Sequence, residues 1–265
     1  MLRRRSTEHA GPNGLTARTA DGVTLRGLHL SGGADTPTDH AVVVAHGMTN
    51  ATARVSTRAV LARFANRTAV VALDFRGHGR SDGRSSVGRD EILDVDAAIG
   101  AARGLGYTRV TLVGFSLGAA VALRHAGRTR TDPALTEAAD AVVAVSPPAR
   151  WFLRESRSML RVQWLLEHPV GPFLGPRLGI RLGRPWSTVP STPLDEVSRI
   201  APTPLLFVHG TADHYFGPEQ SVRLHRAAPG AELWLVDGMG HAESGIAATT
   251  VDRILDWSLR QPTSR

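Results

Sequence analysis

The chain has 265 residues, 42% of them hydrophobic and 21% charged, which is ordinary for a soluble globular protein long enough to bury a sizeable core. It has no cysteine, so disulfides, thiolate metal sites and a cysteine nucleophile are excluded. All 31 basic residues are arginine and the formal net charge is +7, but the arginines are scattered rather than gathered on one element, so nucleic acid is not expected as a partner.

Residues 1–14, which include Arg3 to Arg5, read as a disordered leader. No apolar run follows those arginines, so a secretory signal is not expected in this segment. No stretch reaches the roughly 18 apolar residues that a membrane-spanning helix needs. A cytoplasmic protein is therefore expected. Two alternating runs around Asp21-Gly22, "LTARTADGVTLRGLHL", predict a β-hairpin. "AVVVAHG" is a continuous β-branched run, as expected of a parallel strand apolar on both faces. A helix over 52–66 and a strand "AVVALDF" follow, then the loop "RGHGRSDGRSS" and a helix over 89–103. "RVTLVGF" predicts a strand, and "LGAAVALRHAG" a helix closed by Gly127. "DAVVAVS", "TPLLFVHG" and "AELWLV" predict three further strands, with helices over about 218–227 and 245–260.

A hairpin followed by alternating strands and helices predicts an α/β fold: a mostly parallel sheet with an N-terminal antiparallel hairpin and helices on both faces. Right-handed crossovers then bring the carboxyl ends of the parallel strands to one edge, where such sheets bind ligands. The core is expected over 15–147 and 199–260. Residues 148–198 are too long for a crossover between neighbouring strands and read as an inserted cap. Its first part, 149–168, is expected to be helical, with Arg150, Arg154, Arg157 and Arg161 on one stripe and Phe152, Met159, Val162 and Leu166 roughly opposite. Seven arginines face two acids between Arg150 and Arg184. That excess reads either as a solvated helix face, the reading favoured here, or as attraction to anionic substrates or peripheral contact with a lipid surface. Trp151, Phe152 and Trp164 are candidates for a substrate pocket, and core packing competes for them.

Ser116, between Gly114 and Gly118, stands directly after a strand and directly before a helix, as a nucleophile at a tight strand-to-helix turn must. The pentapeptide alone is weak: 27 glycines in 265 residues yield roughly 0.2 chance matches. A hydroxyl nucleophile needs a base, and His241 lies in the loop after the last strand. His46, His209 and His78 compete for that role, the first two reading as loop braces. Asp213, beyond the preceding strand, is the candidate to orient the base. The N–H groups of Met48 and Leu117 are the candidates to bind an oxyanion, with Gly47 allowing the close approach of its loop.

In this order, "HGMTN", "DFRGHGRSDG", "GFSLG", "HGTAD" and "GMGH" resemble the α/β-hydrolase superfamily, over nearly all of residues 15–260. The members most similar are bacterial serine esterases near the monoacylglycerol lipase branch. The resemblance implies Ser116 as nucleophile, Asp213 as acid, His241 as base, a small acyl ester as substrate and no cofactor or metal. Thioester, amide, lactone or C–C bond hydrolysis on the same residues, a haloperoxidase-like reaction, and a binding protein on a hydrolase scaffold stay open. Oligomeric state is not readable from the sequence.

Overall fold

The computed structural model describes residues 13–33 and 37–262. Most of the expected leader, residues 1–12, lies outside the described residues. Its last residue does not belong to a leader, because Gly14 already opens the first strand.

Eight strands form one sheet: β1 (Gly14–Arg18), β2 (Thr24–Leu30), β3 (His40–Ala45), β4 (Ala69–Leu73), β5 (Arg109–Phe115), β6 (Ala141–Val145), β7 (Leu205–Gly210) and β8 (Glu232–Val236). Their order across the sheet is β1-β2-β4-β3-β5-β6-β7-β8. The hairpin β1–β2 joins β4 antiparallel, and every pairing from β4 onward is parallel. Successive side chains on a strand point to opposite faces, so the valine runs feed two cores at once. Val43, Leu112 and Phe207 face one core, while Val42, Val44, Val113 and Val208 face the other.

Helices cover both faces. The helices α1 (Val55–Ala65), α2 (Glu91–Gly104) and α3 (Leu117–Arg128) follow β3, β4 and β5. On α1 the buried residues are Thr57, Val60, Leu61 and Phe64, a one-sided stripe with the period of a helix. Gly127 does not end α3. It lies inside the helix, where a Cβ would come 2.4 Å from the Glu196 carbonyl oxygen, so its role is close packing.

The β6–β7 connection carries α4 (Arg157–Glu167), α5 (Gly171–Leu174), a 3₁₀ turn at Gly175–Leu178 and α6 (Pro193–Glu196). The expected helix over 149–168 is cut short at its start. Ser156 caps α4, its hydroxyl accepting the Met159 N–H (3.1 Å) and donating to the Tyr215 carbonyl (2.6 Å). Arg150 and Arg154 precede that cap, so the four arginines make no single helical stripe. Phe152 also lies before it, with a left-handed backbone of φ 59°. Past β7, α7 (Glu219–Ala227), α8 (Ala242–Gly245) and α9 (Ala248–Leu259) complete the chain. Among the described residues, no helix is long and apolar enough to cross a membrane.

Two buried histidines make stability depend on pH. The His40 ring sits between the Thr68 and Thr111 hydroxyls at 2.8 and 3.0 Å. His46 donates from Nδ1 to the Gly47 carbonyl (2.8 Å) and accepts the Phe75 N–H at Nε2 (3.0 Å). Burial pushes both down from 6.5 to about 4, so both rings are neutral in the fold. The unfolded chain binds more protons than the folded one between 6.5 and about 4, so stability falls as pH drops through that window. Thermal melts from about pH 7 to about pH 4.5 are expected to show a steadily falling Tm, with a shallower slope in His40→Gln. A flat Tm would contradict two neutral buried rings.

Candidate active site

The parallel strands end along one edge, and the loops leaving β3, β5, β7 and β8 meet there. Ser116 follows β5 at a sharp turn into α3, with φ 52° and ψ −114°. Only glycine adopts that region readily, so the serine is held there by its surroundings. A Cβ at position 114 would lie 2.4 Å from the Gly118 carbonyl oxygen, and one at 118 would lie 2.1 Å from the Ala45 carbonyl oxygen. Both glycines let α3 start hard against the end of β3, with Ser116 on the crest.

The Ser116 hydroxyl donates to His241 Nε2 (2.9 Å), and His241 Nδ1 donates to Asp213 Oδ2 (2.6 Å). Asp213 Oδ1 accepts the N–H groups of Tyr215 (2.9 Å) and Phe216 (3.3 Å). Burial pushes the Asp213 carboxyl up, but the His241 hydrogen bond and charge and these N–H donors outweigh it. The net position is below the ordinary carboxylate value, and Asp213 is an anion. Tyr215 and Phe216 flank the His241 ring, with centroids 4.4 and 5.1 Å away. The turn at His241 is pinned from β6: the Ser146 hydroxyl accepts the Ala242 N–H (3.2 Å), and both residues have positive φ, 49° and 47°.

Met48 and Leu117 line one cavity with Ser116 and His241. Neither backbone N–H has a hydrogen-bond partner among the described residues. Leu117 is the first residue of α3, so its N–H is one of the free donors of a helix start. The loop bearing Met48 is held on several sides. Glu243 accepts the Gly47 N–H (2.8 Å), Asp74 accepts the Thr52 N–H (2.6 Å), and His78 donates to the Met48 carbonyl (2.5 Å). Burial pushes the Glu243 carboxyl up. Glu243 lies beneath Gly47, where a Cβ would come 3.2 Å from Oε2 and press on that carboxyl.

The competing histidines are engaged elsewhere. His46 and His78 brace the Met48 loop, and His209 donates to the Phe216 carbonyl (3.1 Å) while accepting the Ser221 hydroxyl (2.7 Å). Burial pushes His209 down. Trp151 and Phe152 line the cavity, of about 310 Å³, that holds Ser116 and His241. Trp164 does not. On α4 the buried residues are Met159, Gln163 and Leu165, and Trp164 is on the outer face, stacked on His168 at 4.6 Å. The sequence reading missed Glu243, Asp74 and Ser146, whose signal is slight: an acid two residues after the histidine of "GMGHAE", the acid of "DFRGHG", and a serine ending β6. Among the described residues, no group of three or more His, Asp or Glu side chains is arranged to hold a metal ion.

Comparison with known proteins follows this geometry. The model of a family described as an alpha/beta hydrolase family matches residues 42–250. No curated protein matches the sequence. Among solved structures, the chain is similar to an esterase of Pyrococcus furiosus, at 23% identity and a TM-score of 0.70, covering 97% of this chain and 93% of that one. An esterase from Rhodococcus sp. ECU1013 is similar at 18% identity and a TM-score of 0.69, covering 93% and 98%. So is a 2-hydroxy-6-oxo-6-phenylhexa-2,4-dienoate hydrolase from Rhodococcus sp. strain RHA1, at 18% identity and a TM-score of 0.67, covering 96% and 100%. Identities this low carry the fold alone.

The backbone at Ser116 can be tested by itself. Ser116→Gly removes the strain and is expected to exceed Ser116→Ala in unfolding free energy by about 1 kcal/mol, the flexibility of glycine offsetting part of the relief. Urea melts of the two variants side by side decide it, and equal midpoints would mean the turn is unstrained.

Proposed function

The chain belongs to the alpha/beta hydrolase family, and from that premise we propose that it is a serine hydrolase of carboxylic esters working through an acyl-enzyme. One observation carries the proposal: an unbroken line of hydrogen bonds from Ser116 through His241 to an ionised, buried Asp213, opening on a cavity. Ser116 is the nucleophile, His241 the base and Asp213 the group that keeps Nδ1 protonated and Nε2 free to accept.

Ser116 Oγ attacks the ester carbonyl carbon while its proton passes to His241 Nε2. The carbonyl oxygen becomes an oxyanion, received by the N–H groups of Met48 and Leu117. Loss of one such donor costs about 3 kcal/mol in comparable sites, and both are fixed before substrate arrives. The tetrahedral adduct collapses, the C–O bond to the alcohol breaks, and the alkoxide takes the proton from Nε2. Water, deprotonated by the same nitrogen, attacks the acyl-serine and returns the Ser116 hydroxyl with a carboxylic acid. No step calls on a cofactor. Residues 148–198 act as a cap over a core of 15–147 and 199–260. The lining by Trp151, Phe152 and Met159, all from that segment, supports this division.

Ser116→Ala is expected to lower kcat/KM for p-nitrophenyl butyrate by about 10³-fold or more, with an unchanged far-ultraviolet circular dichroism spectrum. Asp213→Asn is expected to fall by about 10⁴-fold through the wrong histidine tautomer. A fluorophosphonate should label Ser116 in the wild type and nothing in Ser116→Ala. Turnover retained by Ser116→Ala would sink the reading.

A further inference from the structure

A second cavity, of about 620 Å³, adjoins the one that holds Ser116. Val87, Trp151, Phe152, Gln163 and Leu166 line both, so the two meet at a shared wall, the junction. Beyond the junction the walls are mainly apolar, with Leu182, Pro185, Trp186 and Val189 among them. The polar edges of these walls are mostly spent. The Trp151 indole N–H donates to the Pro190 carbonyl (3.0 Å) and that of Trp186 to the Ser86 carbonyl (2.5 Å). The Ser85 and Ser86 hydroxyls both donate to Glu91, at 2.8 and 2.7 Å. Glu167 is paired with Arg154 (2.6 Å). Rings rather than indole nitrogens therefore form the walls, with Trp186 5.5 Å from Trp151 and 5.7 Å from Phe152 between centroids. Phe152 stands at the junction on its left-handed backbone. Gln163, a residue 8% exposed and also at the junction, has no side-chain hydrogen-bond partner among the described residues.

The two cavities differ in what they could hold. The one at Ser116 must accommodate the reacting carbonyl and the leaving alcohol together, within about 310 Å³. The second is twice as large and mainly apolar, and none of Met48, Ser116, Leu117 and His241 lines it, so a substrate reacting at Ser116 would reach it only with its far end. We propose that it is a distal subsite for the apolar tail of a long-chain acyl ester, which passes Phe152 at the junction. This rests on the ester-hydrolase reading and names its substrate class. The chain beyond the junction leaves water for rings and aliphatic side chains, and each buried methylene favours binding by about fourfold. Gln163 works against this at the junction, because a plain alkyl chain there covers an amide without giving it a partner.

The test compares p-nitrophenyl butyrate with p-nitrophenyl dodecanoate below their micellar concentrations. The wild type is expected to have a kcat/KM ratio, dodecanoate over butyrate, of about ten or more. Leu166→Trp, which narrows the junction, and Val189→Trp, which fills the second cavity from another wall, should each lower that ratio about tenfold. Gln163→Leu should raise it. Opposite movement by variants at one junction separates a subsite from general loosening of the fold. A wild-type ratio at or below one, or a ratio that neither tryptophan variant moves, overturns the distal subsite while leaving the hydrolase reading standing. Absence of turnover on both esters overturns the two together.

Discussion

Everything at the sheet edge depends on how closely α3 approaches β3. A side chain at position 118 would collide with the Ala45 carbonyl, and one at 114 with the first turn of the same helix. Without those side chains the helix begins where the strand stops, and a serine is forced into a backbone region it would not otherwise occupy. The same contact brings the first free N–H of α3 to the loop that leaves β3. The proposed nucleophile and oxyanion donors are thus placed by backbone packing, before any side chain is chosen.

The loops around that turn are held by buried carboxylates acting as staples. Glu243 takes the Gly47 N–H, Asp74 the Thr52 N–H, and Glu91 the N–H groups of Ser86 and Gly88 together with two hydroxyls. Each ties residues distant in sequence or turns a segment on itself. Buried backbone donors must find acceptors, and loops lack the regular partners of helices and strands. A carboxylate meets that need with two acceptor oxygens, enough to bind several donors at once. This explains why so many acidic side chains lie buried in a chain whose net charge is positive.

The sheet was legible because its evidence is local. A run such as "AVVVA" states its own burial on both faces, and alternation with helices leaves few ways to arrange the strands. Ser116, Asp213 and His241 were legible for a related reason. Each sits just past a strand end, and the parallel sheet converts that position into nearness. The β6–β7 connection was not legible to the same degree. Its helix begins where Ser156 finds both Met159 and Tyr215, and the second of these is a tertiary contact that no spacing announces. Trp164 stands five residues after the inward-facing Met159, so the helical period itself turns it away from the cavity, and only its large apolar ring pointed to a pocket. Gly127 misled for a similar reason: a glycine near a helix end looks like a stop, and only the neighbouring backbone of Glu196 reveals it as a contact.

Glu243 lies two residues beyond His241 in the chain, yet its carboxylate grips the residue before Met48. The proposed base and one proposed oxyanion donor are therefore tied to each other through one side chain. Each is carried on its own loop, and a displacement of one loop is passed to the other through a carboxylate that touches neither the proposed nucleophile nor the proposed acid.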